Sequence, residues 1–258
     1  MSSPAQAQAE CWLITIEKID GPSMQKAILF WAGGLATLAG GAWVVCPQGQ
    51  CAVPELDRMG LALAHAGRGD LLDSWMPVVT WAGSLLVLVP LIALAALVLA
   101  RGGRGREAGL LVLSLVGASA FSHLAKLAVE RPRPDLFAAW TTMPADWSYP
   151  SAHAMQVTAV ALACAFVFAQ RRAKWGVVLA GIVLLVGFSR VYLQVHFPSD
   201  VAAGVIASAF WVAGLYAWMR ARSPDLTCER KTEAEHEKQV PGERVSRDTT
   251  RCARFARS

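Results

Sequence analysis

The stretch AGLLVLSLVGASAFSHLAKLAVERPRP, residues 108–134, decides how this chain is read. It runs apolar for about 20 residues, the length a helix needs to cross a bilayer. Lys126 falls in its last turns, and Arg131-Pro132-Arg133-Pro134 follows at once. Two prolines so close together forbid further regular helix. A span that ends in a cluster of cations is informative, because charge at the edge of hydrocarbon is expensive and marks function by default.

Outward from this stretch the same pattern recurs. Apolar runs at 27–46, 76–100, 152–170, 175–195 and 200–220 join 108–128 to predict six spans. Only 17% of the 258 residues are charged, where a soluble domain carries about 25%. Each span must be helical, since lipid offers no partner to a free backbone N–H or C=O. The expected fold is all-α, a polytopic membrane protein built as a six-transmembrane-helix bundle over 27–222. Residues 1–26 are expected as a cytoplasmic N-terminal extension, with no cleavable signal peptide evident. Residues 223–258, polar and rich in both charge signs, are expected as a disordered cytoplasmic tail. Its Arg244, Arg247, Arg251, Arg254 and Arg257 fit either a solvated tail or, less well, a helical face on anionic lipid.

Loop charges give the orientation. Arg101, Arg104 and Arg106, then Arg171, Arg172 and Lys174, then Arg220 and Arg222 belong on the cytoplasmic side. That sets both termini in the cytoplasm and the segment between the first two spans outside. The net charge of +5 then reflects topology. No basic groove with interleaved aromatics is present, so nucleic acid is not an expected partner. Cys46 and Cys51 fall outside, where a bridge would persist, and either a disulfide or two thiols fits them. Cys11, Cys164, Cys228 and Cys252 show no metal-ligand spacing. Residues 55–73 are too polar to span. Leu56, Met59 and Leu63 recur at helical spacing, which fits an interfacial helix or a loose loop. The outer loop 135–149 carries Trp140 and Trp147, read as interface anchors with a lid as the alternative. His123, alone in a span, is expected as a core residue.

Span counting brings three stretches to one face of the membrane. Lys126 to Arg133 lie at the outer end of the third span. Ser151 and His153 lie at the outer start of the fourth. Arg190, His196 and Asp200 bracket the turn from the fifth to the sixth. Lys126, Arg133 and Arg190 are donors suited to phosphate oxygens. Two unit charges about 4 Å apart attract by roughly 4 kcal/mol at an effective dielectric near 20, so three cations hold a phosphate firmly and oppose the charge of a phosphoryl-transfer transition state. Ser151 opens a helix, whose free N–H groups favour an anion. Its hydroxyl and the Ala152 N–H are candidate phosphate ligands. His196 and Asp200 are four residues apart, so the carboxylate can fix one imidazole nitrogen and leave the other to attack. His153, from another helix, is then placed to protonate the leaving oxygen.

Lys126-x6-Arg133-Pro134, Pro150-Ser151-x-His153 and Ser189-Arg190-x5-His196-x3-Asp200 together resemble the motifs of the type 2 phosphatidic acid phosphatase superfamily, over roughly residues 75–220. Ala152 departs from the pattern, which usually has glycine there; an alanine still offers its N–H if its φ is negative. The resemblance implies a phosphatase without metal or other cofactor. His196 would form a phosphohistidine, Asp200 would orient it, and His153 would protonate the leaving group and then activate water. Lys126, Arg133, Ser151, Ala152 and Arg190 would hold the phosphate. The expected function is hydrolysis of a lipid phosphate or pyrophosphate at the outer face of a cell (inner) membrane, with membrane lipids as partners and the oligomeric state open. A phosphotransferase using the same phosphohistidine, and a non-catalytic lipid-phosphate binder or flippase, are the alternatives. A haloperoxidase ranks low, because those enzymes are typically soluble.

Overall fold

The computed structural model describes residues 22–168 and 172–222. The N-terminal segment up to residue 21, the tail 223–258 with its arginines, and Cys11, Cys228 and Cys252 lie outside the described residues. Among the described residues the regular structure is helical. In chain order the α-helices are α1 (Pro22–Val45), α2 (Glu55–Ala66), α3 (Asp70–Val79), α4 (Leu85–Arg101), α5 (Gly105–Val129), α6 (Ala152–Val167), α7 (Arg172–Tyr192) and α8 (Pro198–Ala221).

Every apolar run in the sequence is a helix, but not every helix has the length of a span. Among the described residues α1, α5, α7 and α8 are long and apolar enough to cross a membrane. A fifth crossing requires α3 and α4 to be counted together, and that pair is bent by 45°. The expected span at 76–100 is therefore broken. Its cause is local: Pro77 lies inside α3, and the Ser84 backbone is extended. The Ser84 side chain accepts from Leu86 N and so caps a fresh helix start. The expected span at 152–170 is the 16-residue α6, about 24 Å long against a hydrocarbon thickness of about 30 Å.

α6 is apolar all round because protein surrounds it. Ten of its residues are buried, from Ala154 to Val167, and it packs against α5 and α7. Met155, Ala159, Val160 and Ala163 join Leu111, Leu115 and Ala118 of α5 and Ala207 and Val212 of α8 in the main core. The N-terminus of α6 is thus held by neighbours on all sides, which is what a fixed site requires. Gly83 contributes to this hold. A Cβ there would lie 2.8 Å from Val186 Cγ1 and 3.1 Å from both His153 Cβ and the His153 carbonyl oxygen. Only glycine lets the α3–α4 connection press so close to the start of α6.

Three regions left open by the sequence now have a form. α2 is a helix, with Asp57, Leu61 and Ala64 buried and Leu56, Met59 and Leu63 exposed on its other face. Cys46 and Cys51 are bridged. The outer loop is tied to the helices beneath it, through Trp140 N donating to Leu193 O and the Arg68 guanidinium 3.8 Å from the Trp140 ring. His123 corrects its expectation: it is exposed on α5 rather than in the core. The chain leaves α5 through Glu130, whose left-handed backbone (φ 51°) closes the helix with a bond to Lys126 O.

Candidate active site

His196 sits in the short turn between α7 and α8. The N–H groups of Val195 and His196 both reach the Arg190 carbonyl, at 3.2 and 3.3 Å. This ties the turn to the last helical turn of α7. Asp200, in the first turn of α8, places Oδ2 3.5 Å from His196 Nδ1. The same oxygen accepts from Ser148 Oγ at 2.5 Å and from Phe197 N at 3.0 Å. On the far side of the ring, Arg133 Nη1 lies 3.2 Å from Nε2. A guanidinium can only donate, so Nε2 is the acceptor and the ring proton belongs on Nδ1, toward Asp200. The Nε2 lone pair therefore faces Arg133.

Those cations converge from three elements. Lys126 in α5 is buried, pairs with Asp146 Oδ2 at 3.0 Å and donates to the Trp147 carbonyl. Arg133 grips Asp146 twice, with Nη2 2.6 Å from Oδ1 and Nε 2.8 Å from the carbonyl, and donates to Val195 O at 2.6 Å. Arg190 in α7 is buried and donates to Thr80 Oγ1 at 2.6 Å, while its Nε has no partner. Ser151 Oγ is likewise buried without a partner. Buried polar groups are normally satisfied, and these two atoms are not. Ser151 precedes α6 without capping it through its side chain. Ala152, the first residue of that helix, is not among the positive-φ residues, so its N–H is offered as a glycine's would be.

Electrostatics tie the set together. Burial pushes His196 well below the ordinary histidine value of 6.5, and the charges of Arg133, Arg190 and Lys126, together with His153, press the same way. At neutral pH the ring is uncharged. Asp146 goes the opposite way. Its partial burial would raise it, but Lys126 and Arg133 outweigh that and carry the carboxyl down to about 2. All eight residues expected from the sequence thus lie on the three stretches that meet here. Reading the sequence missed Asp146, Ser148 and Asp57, and put Arg131 on the outer side with the site without giving it a role. Asp146 and Ser148 stand just before the Pro150-Ser151 motif and were within reach; Asp57, on α2, gave no signal.

Residues 107–224 match the model of the PAP2 superfamily. Among curated relatives, an undecaprenyl-diphosphatase of Sulfolobus acidocaldarius is 33% identical over 138 residues, 51% of this chain and 64% of the relative. Phosphatidylglycerophosphatase B of Bacillus subtilis is 36% identical over 104 residues, 37% of this chain and 50% of the relative. The chain thus spans about half to two thirds of the length of these relatives. The fold is similar to that of a transmembrane PAP2-type phosphatidylglycerolphosphate phosphatase from Bacillus subtilis, with a TM-score of 0.59 and 21% identity, covering 84% of this chain and 99% of that one.

Proposed function

We propose that the protein hydrolyses a lipid phosphate or pyrophosphate through a phosphohistidine on His196. The observation that carries this reading is the line Arg133–His196–Asp200, with Nε2 unprotonated and facing Arg133 while Nδ1 faces a carboxylate. In the first step the Nε2 lone pair attacks phosphorus and the bond from phosphorus to the lipid oxygen breaks. His153 gives its proton to that oxygen, leaving an alcohol, or a monophosphate when the substrate is a diphosphate. In the second step His153 takes a proton from water, the hydroxide attacks phosphorus, and the N–P bond breaks to release inorganic phosphate. Lys126, Arg133, Arg190, Ser151 Oγ and the Ala152 N–H hold the phosphoryl oxygens and oppose their developing charge. No metal takes part in this scheme.

Apolar helices on every side of the site, and relatives named for lipid phosphates and diphosphates, support a lipid substrate. In the membrane we infer six crossings, counting α3–α4 as one and the short, shielded α6 as another. With the arginine-rich loops assigned to the cytoplasm, this reading has the site on the extracytoplasmic face of the cell membrane. Phosphate release by the purified protein, across a panel of polyprenyl diphosphate, phosphatidylglycerol phosphate and phosphatidate, tests the reading. Release from at least one of them, lost in His196→Ala and kept in excess chelator, is the expected result. No release from any of them removes the hydrolase reading, and loss in chelator removes the metal-free scheme.

A further inference from the structure

Behind Asp200 lies a second layer of charge that the phosphate chemistry does not use. Arg131 is 1% exposed, and so is Asp57 on α2. Arg131 Nη1 donates to Asp200 Oδ1 at 2.6 Å and to Ser199 Oγ at 2.9 Å. Its Nη2 donates to Asp57 Oδ2 at 2.8 Å. Asp57 closes the circuit, accepting from Ser199 N at 2.8 Å and from Ser199 Oγ at 2.6 Å. The guanidinium also lies 3.9 Å from the Phe197 ring. Burying three charges is costly unless donors and acceptors are engaged, and here both terminal guanidinium nitrogens and both Asp57 oxygens are.

We propose that Arg131, anchored by Asp57, is a positioning residue that fixes the Asp200 carboxylate against His196, and that α2 thereby becomes part of the reaction machinery. This rests on His196 being the nucleophile. A phosphate ligand would present a free donor to the site, whereas both terminal nitrogens of Arg131 are spent on fixed carboxylates. An ordinary structural pair would not divide the Asp200 carboxylate as this one does. Arg131 takes Oδ1, and Oδ2 is left for Ser148, Phe197 N and His196. Without the guanidinium Oδ1 loses its anchor, and only Ser148 and Phe197 N hold the carboxylate toward Nδ1.

The charges give a signed test. His196 is faced by Asp200 from α8, by Lys126 and Arg133 from α5 and its outgoing segment, by Arg190 from α7, by His153 from α6, and by Asp146 through Arg133. Removing the Arg131 charge leaves Asp200 uncompensated beside the ring, which favours the imidazolium and moves the acid limb of the pH–rate profile up. Removing the Asp57 charge frees Arg131 for Asp200 alone and moves that limb down. The experiment measures kcat, KM and the acid limb for wild type, His196→Ala, Arg131→Gln, Arg131→Lys and Asp57→Asn in full-length protein, using a lipid phosphate that the wild type cleaves. We expect Arg131→Gln to lower kcat by about tenfold, with KM within about twofold. We expect limb shifts of opposite sign in Arg131→Gln and Asp57→Asn, and a limb restored in Arg131→Lys. If the wild type and His196→Ala behave as proposed but the limb stays put in every Arg131 and Asp57 variant, the positioning role is wrong and the hydrolase reading stands. If the wild type releases no phosphate, both fall. Should Arg131→Gln fail to fold, the Asp57→Asn limb decides alone.

Discussion

Arg131 and Arg133 are two residues apart on one short Pro-interrupted segment, yet their carboxylate partners differ sharply in exposure. Arg131 is sealed, and its carboxylate partners Asp57 and Asp200 are sealed with it. Arg133 also bonds a carboxylate, but that carboxylate is Asp146, whose side chain is 55% exposed on the outer loop. The lower layer is a closed circuit of fixed charges. The mouth is a set of cations whose anion can be exchanged. A phosphate site needs both: an immovable frame for the nucleophile and a cradle that an incoming anion can enter. The alternation of Pro132 and Pro134 makes this division possible, since helix is excluded there and neighbouring arginines are free to point to different depths.

The largest expected difference between the two layers is in stability. Arg131→Ala leaves two buried carboxylates without their cation, a loss of about 3–5 kcal/mol. Thermal unfolding of the detergent-solubilised protein should show a clear drop. Arg133→Ala should leave the unfolding temperature close to wild type but cut phosphate release by about 10²-fold, the cost of one donor to a developing oxyanion. If both variants lose stability alike, the two layers are one structure and the comparison fails.

The mouth was largely legible in the sequence and the lower layer was not, for a physical reason. Lys126, Arg133, Ser151, His153, Arg190 and His196 sit at the ends of apolar runs, where charge stands out against hydrocarbon and span counting fixes the face. Asp57 lies 74 residues from Arg131, in a polar segment where one more aspartate carries no contrast. The length of the helix at 152–170 was misread for a related reason. Composition reports that a helix avoids water, but it cannot say whether lipid or protein does the covering. α6 is wrapped by α5 and α7, so it needs no more than its 16 residues. The 45° bend before α4 was written at Ser84, a capping residue inside an otherwise apolar run, and hydropathy alone passes over it.

A smaller effect, read by pH, runs the same way in both layers. His196 must be neutral to attack, and burial with the surrounding cations holds it well below 6.5. The rate should therefore hold as pH falls through 6.5 and decline only below it, as the ring protonates at its lowered folded value. The same decline should move upward when a mouth cation is removed, as in Lys126→Met, because one repulsion on the imidazolium is gone. An acid limb that begins above pH 7 would mean that the field of these cations does not reach the ring.

The smallest expected effect tests the mouth directly. Asp146 stands where a substrate anion would stand, 3.0 Å from Lys126 and 2.6 Å from Arg133. Held down to about 2, it keeps its charge at any pH where the protein works, so substrate must displace it. Asp146→Asn retains the shape and removes the charge. KM for a lipid phosphate should fall by up to about fivefold, the scale of a half-exposed ion pair. Inhibition by inorganic phosphate should tighten by a similar factor, and both differences should shrink as salt screens the pair. A rise in KM would reverse the assignment. Asp146 would then be holding Lys126 and Arg133 in place for the phosphate, and the mouth would be a fixed frame like the layer beneath it.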